Sequence, residues 1–192
     1  VTKQRLEAFS DGVIAILITI MVLELRAPAG GDLAALRPLV PALLSYLLSF
    51  IYLGIYWNNH HHMLHATRHI SGGVLWANLH LLFWLSLVPF MTRWVGEHYT
   101  AALPTAVYGA ILLMAAVAYT ILQSTIIAVD GNESTLARAV ASDRKGKVSL
   151  ALYASAVALA FVQPWIADVL YVIVALIWLV PDPRIERRLQ GA

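Results

Sequence analysis

Residues 5–25 read RLEAFSDGVIAILITIMVLEL. After Ser10-Asp11-Gly12 the chain is apolar from Val13 to Leu23, broken only by Thr19. This has the character of a membrane span, which needs about 20 mostly apolar residues. Yet an acid stands at its head. A carboxylate inside a membrane helix costs about 2.5–3.5 kcal/mol at the bilayer centre and less near an end. Asp11 is therefore expected to face protein rather than lipid.

The rest of the chain fits the same reading. Of its 192 residues, 60% are hydrophobic and 12% charged, and the mean hydropathy is +0.73. A soluble domain is nearer half apolar and a quarter charged. The apolar runs are long and do not alternate, so the fold class is all-α and integral to a membrane rather than a β-barrel. There is no cysteine, hence no disulfide framework and no thiolate metal site. A net charge of +2 is too small to suggest nucleic acid. The first residue is Val rather than Met, and a trimmed N-terminus is expected. Lys3 and Arg5, the apolar run and Ala27-Pro28-Ala29 also imitate a secretory signal peptide. Asp11, Glu24, Arg26 and the further spans oppose that reading.

Six transmembrane helices are expected, at about 4–25, 36–63, 67–94, 101–128, 147–162 and 164–180, forming one domain over 1–192. Pro38 falls in a first helical turn, where proline is tolerated. Pro164 separates the last two spans, which read as a tight hairpin. Loops are short, only 129–146 has room for extra structure, and no repeat is evident. With the N-terminus inside, the inner segments hold Lys3, Arg5, Arg68, Arg138, Arg144, Lys145, Lys147, Arg184, Arg187 and Arg188. The outer ones hold Arg26, Arg37 and Arg93. This asymmetry predicts both termini in the cytoplasm. Trp94, Trp165 and Trp178 suit interfacial belts. Arg144-Lys145-x-Lys147 reads as a topology anchor that could also hold anionic lipid.

That topology supplies partners for the acid. Helix 2 ends in Trp57-Asn58-Asn59-His60-His61-His62 at the leaflet of Asp11, and helix 3 brings Asn78 and His80. Ser10 and Asp11 are expected to anchor helix 1 to helices 2 and 3 through a buried polar network, which must be well satisfied to be tolerated. At 100° per residue, Ile16, Thr19, Ile20 and Leu23 share one stripe with Phe9 and Gly12, and Asp11 lies about 140° from Ile16. Helix 1 thus has a polar, pinned side and an apolar side carrying one hydroxyl.

Arg5-x-x-x-Phe9-Ser10-Asp11, the apolar helix with Thr19, and Leu23-Glu24 together resemble the signature of the transmembrane protein 175 family, the potassium channels of endosomes and lysosomes with bacterial relatives. The likeness continues in Tyr56-Trp57-x-x-His60-His61, in Asn78-Leu79-x-Leu81-Leu82-Phe83 and in Pro89-Phe90. It covers the first half of the chain in motifs and the whole chain in six-helix layout. His62 departs from it, since a basic residue such as arginine often follows the paired histidines.

The resemblance implies a homotetramer of six-helix units in a lipid bilayer, here the bacterial inner membrane. It implies a non-canonical potassium channel without a P-loop filter, and this chain has no Thr-Val-Gly-Tyr-Gly stretch. It places the pore constriction on Ile16, Thr19, Ile20 and Leu23 of helix 1. Arg5, Ser10, Asp11, Trp57, His60, His61 and Asn78 fall in the structural network. A ring of apolar side chains would gate by dewetting and favour potassium, which sheds water at lower cost than sodium, with modest, leak-like selectivity. Glu24 at the outer mouth would concentrate cations, partly offset by Arg26. Thr19 can also bond back to the Ala15 carbonyl.

The rival is a secondary transporter or divalent-metal or proton carrier using Asp11 and the cluster His60, His61, His62, His65 and His69. The i, i+4 pairs His61/His65 and His65/His69 could place two imidazoles on one metal, and histidine titrates near neutrality. Transporters usually show repeats and broken helices, and helix 1 reads as unbroken. No cofactor, resident metal or catalytic group is expected. No serine stands with a histidine base, and no second intramembrane acid other than Asp168 pairs with Asp11.

Overall fold

The computed structural model describes residues 2–140 and 143–179. It is all-helical there, with α1 (Lys3–Ile20), α2 (Val40–His65), α3 (Gly72–Ser86), α4 (Val88–Glu97), α5 (Ala102–Asp130), α6 (Thr135–Val140), α7 (Arg144–Leu159) and α8 (Pro164–Leu179). Two 3₁₀ segments, Met21–Glu24 and Leu33–Leu39, extend α1 and precede α2. The starts of α1, α3 and α7 carry side-chain caps, which satisfy otherwise orphaned amides. Thr2, Ser71 and Asp143 accept from the amides of Arg5, Val74 and Gly146 respectively. Gly131, with φ 92°, follows the end of α5 in backbone space that side chains avoid.

Several boundaries differ from those expected. The α-helical part of helix 1 stops at Ile20 and tightens to 3₁₀ geometry before Leu25. Helix 3 starts at Gly72 rather than 67, because Asp130 takes the amides of Arg68 and His69 at 2.8 and 3.0 Å and holds the preceding turn open. It then divides at Leu87. Pro89 has no N–H for the Leu85 carbonyl, and its ring crowds that carbonyl. The long loop contains α6. Arg184, Arg187 and Arg188 lie outside the described residues.

Among the described residues, four segments are long and apolar enough to cross a membrane: Lys3–Glu24, Leu33–His65, Gly72–Glu97 and Ala102–Asp130. The chain is a multi-pass membrane protein. With 16 residues, α7 is about 24 Å long and falls short of the roughly 30 Å hydrocarbon core; the described part of α8 has the same length.

In the bundle, α1 packs on α2, α3 and α4, while α5 packs on α3, α4, α7 and α8. Thus α1 lies along one edge, away from the α7–α8 hairpin. Leu53, Leu81, Leu85, Leu112, Leu122 and Ile126 fill the core between them. Two small residues permit close approaches. A Cβ on Gly96 would meet the Ala42 backbone at 2.8 Å, and one on Gly109 would overlap the Tyr171 hydroxyl. Tyr171 uses that space to donate to the Thr105 carbonyl at 3.0 Å, while its own carbonyl receives Tyr52 Oη.

Candidate functional site

The local sequence gives α1 two faces, and packing treats them differently. Ser10, Ile14 and Met21 are fully buried, with Leu6 and Leu17 nearly so. On the other side Phe9, Ile16, Ile20 and Leu23 are exposed, Ile16 at 58% and Leu23 at 79%, and Gly12 and Thr19 are exposed with them. Large apolar side chains this open need a nonaqueous or narrow setting. The 3₁₀ turn matters to this stripe. In 3₁₀ geometry side chains at i and i+3 eclipse, so Leu23 stacks over Ile20 rather than drifting around the helix.

Thr19 Oγ1 lies 3.0 Å from both the Ala15 and Ile16 carbonyls. Its proton is turned toward the backbone, which leaves its lone pairs available on the exposed side.

The polar side of α1 divides into two sets. The buried set runs Leu6–Ser10–Asn78–His60. The Ser10 hydroxyl donates to the Leu6 carbonyl at 2.9 Å, Asn78 Nδ2 donates to Ser10 Oγ at 3.0 Å, and Asn78 Oδ1 is 2.7 Å from His60 Nε2. Asn78 thereby ties α1, α2 and α3 together at one point. The second set is nearer the surface, where Trp57 Nε1 donates to Asp11 Oδ1 at 3.1 Å. No buried side-chain N or O among the described residues lacks a partner.

The remaining sequence-derived residues fall outside these sets. Arg5 is exposed, and its backbone amide donates to Thr2 Oγ1. His61 is exposed and stacks between Trp57 and His65, with ring centroids 6.2 Å from each. The His65/His69 spacing is not realised on one helix face, because α2 ends at His65. His69 turns instead to Asp130, with Nδ1 3.1 Å from Oδ1. Among the described residues no three of His, Asp and Glu converge on a metal-sized space.

Glu24 has a partner that reasoning from sequence missed. Arg93 Nη1 is 3.3 Å from Glu24 Oε2, and Arg93 Nε is 3.2 Å from Glu97 Oε1. Arg26 also reaches Glu97 Oε1 at 3.2 Å. The two acids and two arginines form one network joining the end of α1 to α4. The i, i+4 spacing of Arg93 and Glu97 was a local hint, but the bridge to Glu24 is long-range. Beneath it Thr92 Oγ1 lies 2.7 Å from Ser49 Oγ, which is 2.9 Å from Tyr108 Oη.

Comparison with known proteins gives a consistent result. The family model described as "Endosomal/lysosomal potassium channel TMEM175" matches residues 5–89. A potassium channel of Chryseobacterium sp. (strain P1-3) is 53% identical over 189 residues, covering 98% of each chain. A potassium channel of Chamaesiphon minutus is 30% identical over 175 residues, covering 85% of this chain and 86% of the relative. The crystal structure of a lysosomal potassium-selective channel TMEM175 homolog from Chamaesiphon minutus superposes with a TM-score of 0.82. It is 28% identical and covers 92% of this chain and 95% of that one.

Proposed function

Since the chain belongs to the TMEM175 potassium channel family, we propose that it conducts potassium through a pore lined by α1 and narrowed by Ile16, Thr19, Ile20 and Leu23. It is a channel and not an enzyme. The observation that carries the pore reading is the asymmetry of α1. Its Ser10–Ile14–Met21 side is sealed into the protomer, while Ile16 and Leu23 are 58% and 79% exposed at the bundle edge.

In this reading the open stripe meets its own copies around an axis in a homotetramer. Each chain contributes six spans as one domain over 1–192. Segments α3 and α4 form one span, and the α7–α8 hairpin completes the six. Both termini are cytoplasmic, in the inner membrane of a bacterium. The uncovered edge of α1 and the high identity to named potassium channels support this arrangement.

Apolar side chains around a narrow axis offer no oxygen to replace an ion's water, so the constriction restricts flow by dewetting and passes the more readily dehydrated potassium in preference to sodium. Lone pairs of four Thr19 hydroxyls compensate part of the lost hydration. Selectivity is modest and the current leak-like. Glu24 stands at the outer mouth with its charge locally balanced by Arg93, so its attraction for cations is smaller than that of a bare carboxylate ring.

The test is purified protein in liposomes under a potassium gradient. A channel dissipates the gradient rapidly without a counter-transported ion, and Leu23→Ala or Ile16→Ala lowers potassium over sodium selectivity. Flux that saturates and requires exchange would identify a carrier and overturn the proposal.

A further inference from the structure

At the same end of the bundle as Glu24 and Arg93, a groove of about 540 Å³ runs between α2 and α8. Its walls include Leu44, Leu47, Leu48, Ile51 and Val172, with Asp168 among them and Tyr99 at one end. Leu44 and Leu47 are exposed along the groove. Asp168 is half-buried and has no hydrogen-bond or ion-pair partner among the described residues. The two phenols within its electrostatic reach, Tyr108 and Tyr171, are committed to Ser49 and to the Thr105 carbonyl.

We propose that this groove binds an amine-bearing phospholipid, with its ammonium on Asp168 and an acyl chain along the α2 leucines. The inference rests on α8 lying in the membrane, as proposed above. A carboxylate in apolar surroundings is unfavourable without a cation or hydrogen-bond donor. A small inorganic cation would answer the charge and leave the apolar groove unfilled. A neutral lipid chain would fill the groove and leave the carboxylate unpaired. An ethanolamine headgroup on an acyl chain does both, and its N–H groups can donate where a quaternary choline cannot.

Depth agrees with this occupant. Asp168 lies four residues, about 6 Å, into α8, and the neighbouring turn carries Trp165, an exposed aromatic of the kind found at membrane interfaces. The Tyr99 hydroxyl, on an exposed residue at the rim, can donate to the lipid phosphate.

The experiment equilibrates the purified protein with vesicles holding equal parts of palmitoyl-oleoyl phosphatidylethanolamine, phosphatidylcholine and phosphatidylglycerol. It then extracts the protein in mild detergent and quantifies retained lipid by mass spectrometry. Wild type should retain phosphatidylethanolamine about three- to fivefold over phosphatidylcholine, the range of a partly exposed ion pair. Asp168→Asn should fall to parity, and Asp168→Glu should keep the preference. Leu47→Trp, which fills the groove without touching the charge, should reduce retention of phosphatidylethanolamine, so the idea stays testable if Asp168→Asn folds poorly.

No headgroup preference in wild type, or an unchanged one in both Asp168→Asn and Leu47→Trp, would overturn it. So would loss of assembly by Asp168→Asn in every lipid, matched by Arg37→Gln, since Asp168 would then serve a cation of a neighbouring copy. Potassium flux measured in parallel keeps the two proposals apart. Failure of flux with preference intact removes the channel reading alone.

Discussion

Trp57 donates its indole N–H to the Asp11 carboxylate across 3.1 Å, joining the cytoplasm-proximal parts of α1 and α2 in the proposed topology. This is the one donor that Asp11 has among the described residues. Trp57→Phe removes it and keeps most of the ring. Hydrogen bonds to charged groups contribute about 1.5–3 kcal/mol, and partial exposure places this one near the lower end. Thermal unfolding in detergent should show the loss. Asp11→Ala should lower the yield of assembled protein on size exclusion. Intact assembly with altered ion preference would show that Asp11 acts on permeation and is not an anchor.

Asn78 serves two partners at once, so replacing it should cost more than replacing either. Asn78→Leu leaves the Ser10 hydroxyl and the His60 ring without it in a closed site. The stranded His60 ring costs about 1–3 kcal/mol, while Ser10 still donates to the Leu6 carbonyl. Ser10→Ala should be milder, since it leaves the Asn78–His60 bond in place. The order of melting temperatures, wild type above Ser10→Ala above Asn78→Leu, checks this.

Thr19→Val keeps shape and removes the hydroxyl. Its proton serves carbonyls within α1, so protomer stability should change by no more than about 0.5 kcal/mol. Potassium conductance should fall, and Thr19→Ser should restore most of it. Equal conductance in all three would deny the hydroxyl any role toward the ion.

Two glycines should respond in opposite ways to alanine. At Gly109 the added methyl displaces the Tyr171 hydroxyl, and with it the bond to the Thr105 carbonyl. Overpacking of this kind costs about 1–3 kcal/mol. At Gly12 nothing lies within 4 Å, and alanine favours helix by about 1 kcal/mol. Gly12→Ala should therefore leave the protomer as stable or more so. Measured unfolding midpoints should separate the two.

Arg93→Gln releases Glu24 from its cation, while Glu97 keeps Arg26. An uncompensated carboxylate at a channel mouth raises local cation concentration. Potassium conductance should rise at low ionic strength and return to the wild-type value at high salt, where charges are screened. An increase that persists in high salt would point to a changed constriction instead.

The readable part of this protein was periodic. Apolar runs of spanning length marked the main membrane helices, and a 100° step placed Ile16, Thr19, Ile20 and Leu23 on one side of α1 away from Asp11. Both rest on local residue order, because helix geometry converts spacing directly into face. Pairing was decided elsewhere. That Asn78 would meet Ser10 and His60, that Arg93 would reach Glu24, and that Asp168 would find no donor among the described residues depend on how helices distant in sequence align in depth and rotation. The tightening of α1 after Ile20 and the division at Leu87 also change register in ways the apolar pattern does not carry. Side-chain reach is a few ångströms, so small shifts between packed helices choose the partner, and only the assembled bundle sets those shifts.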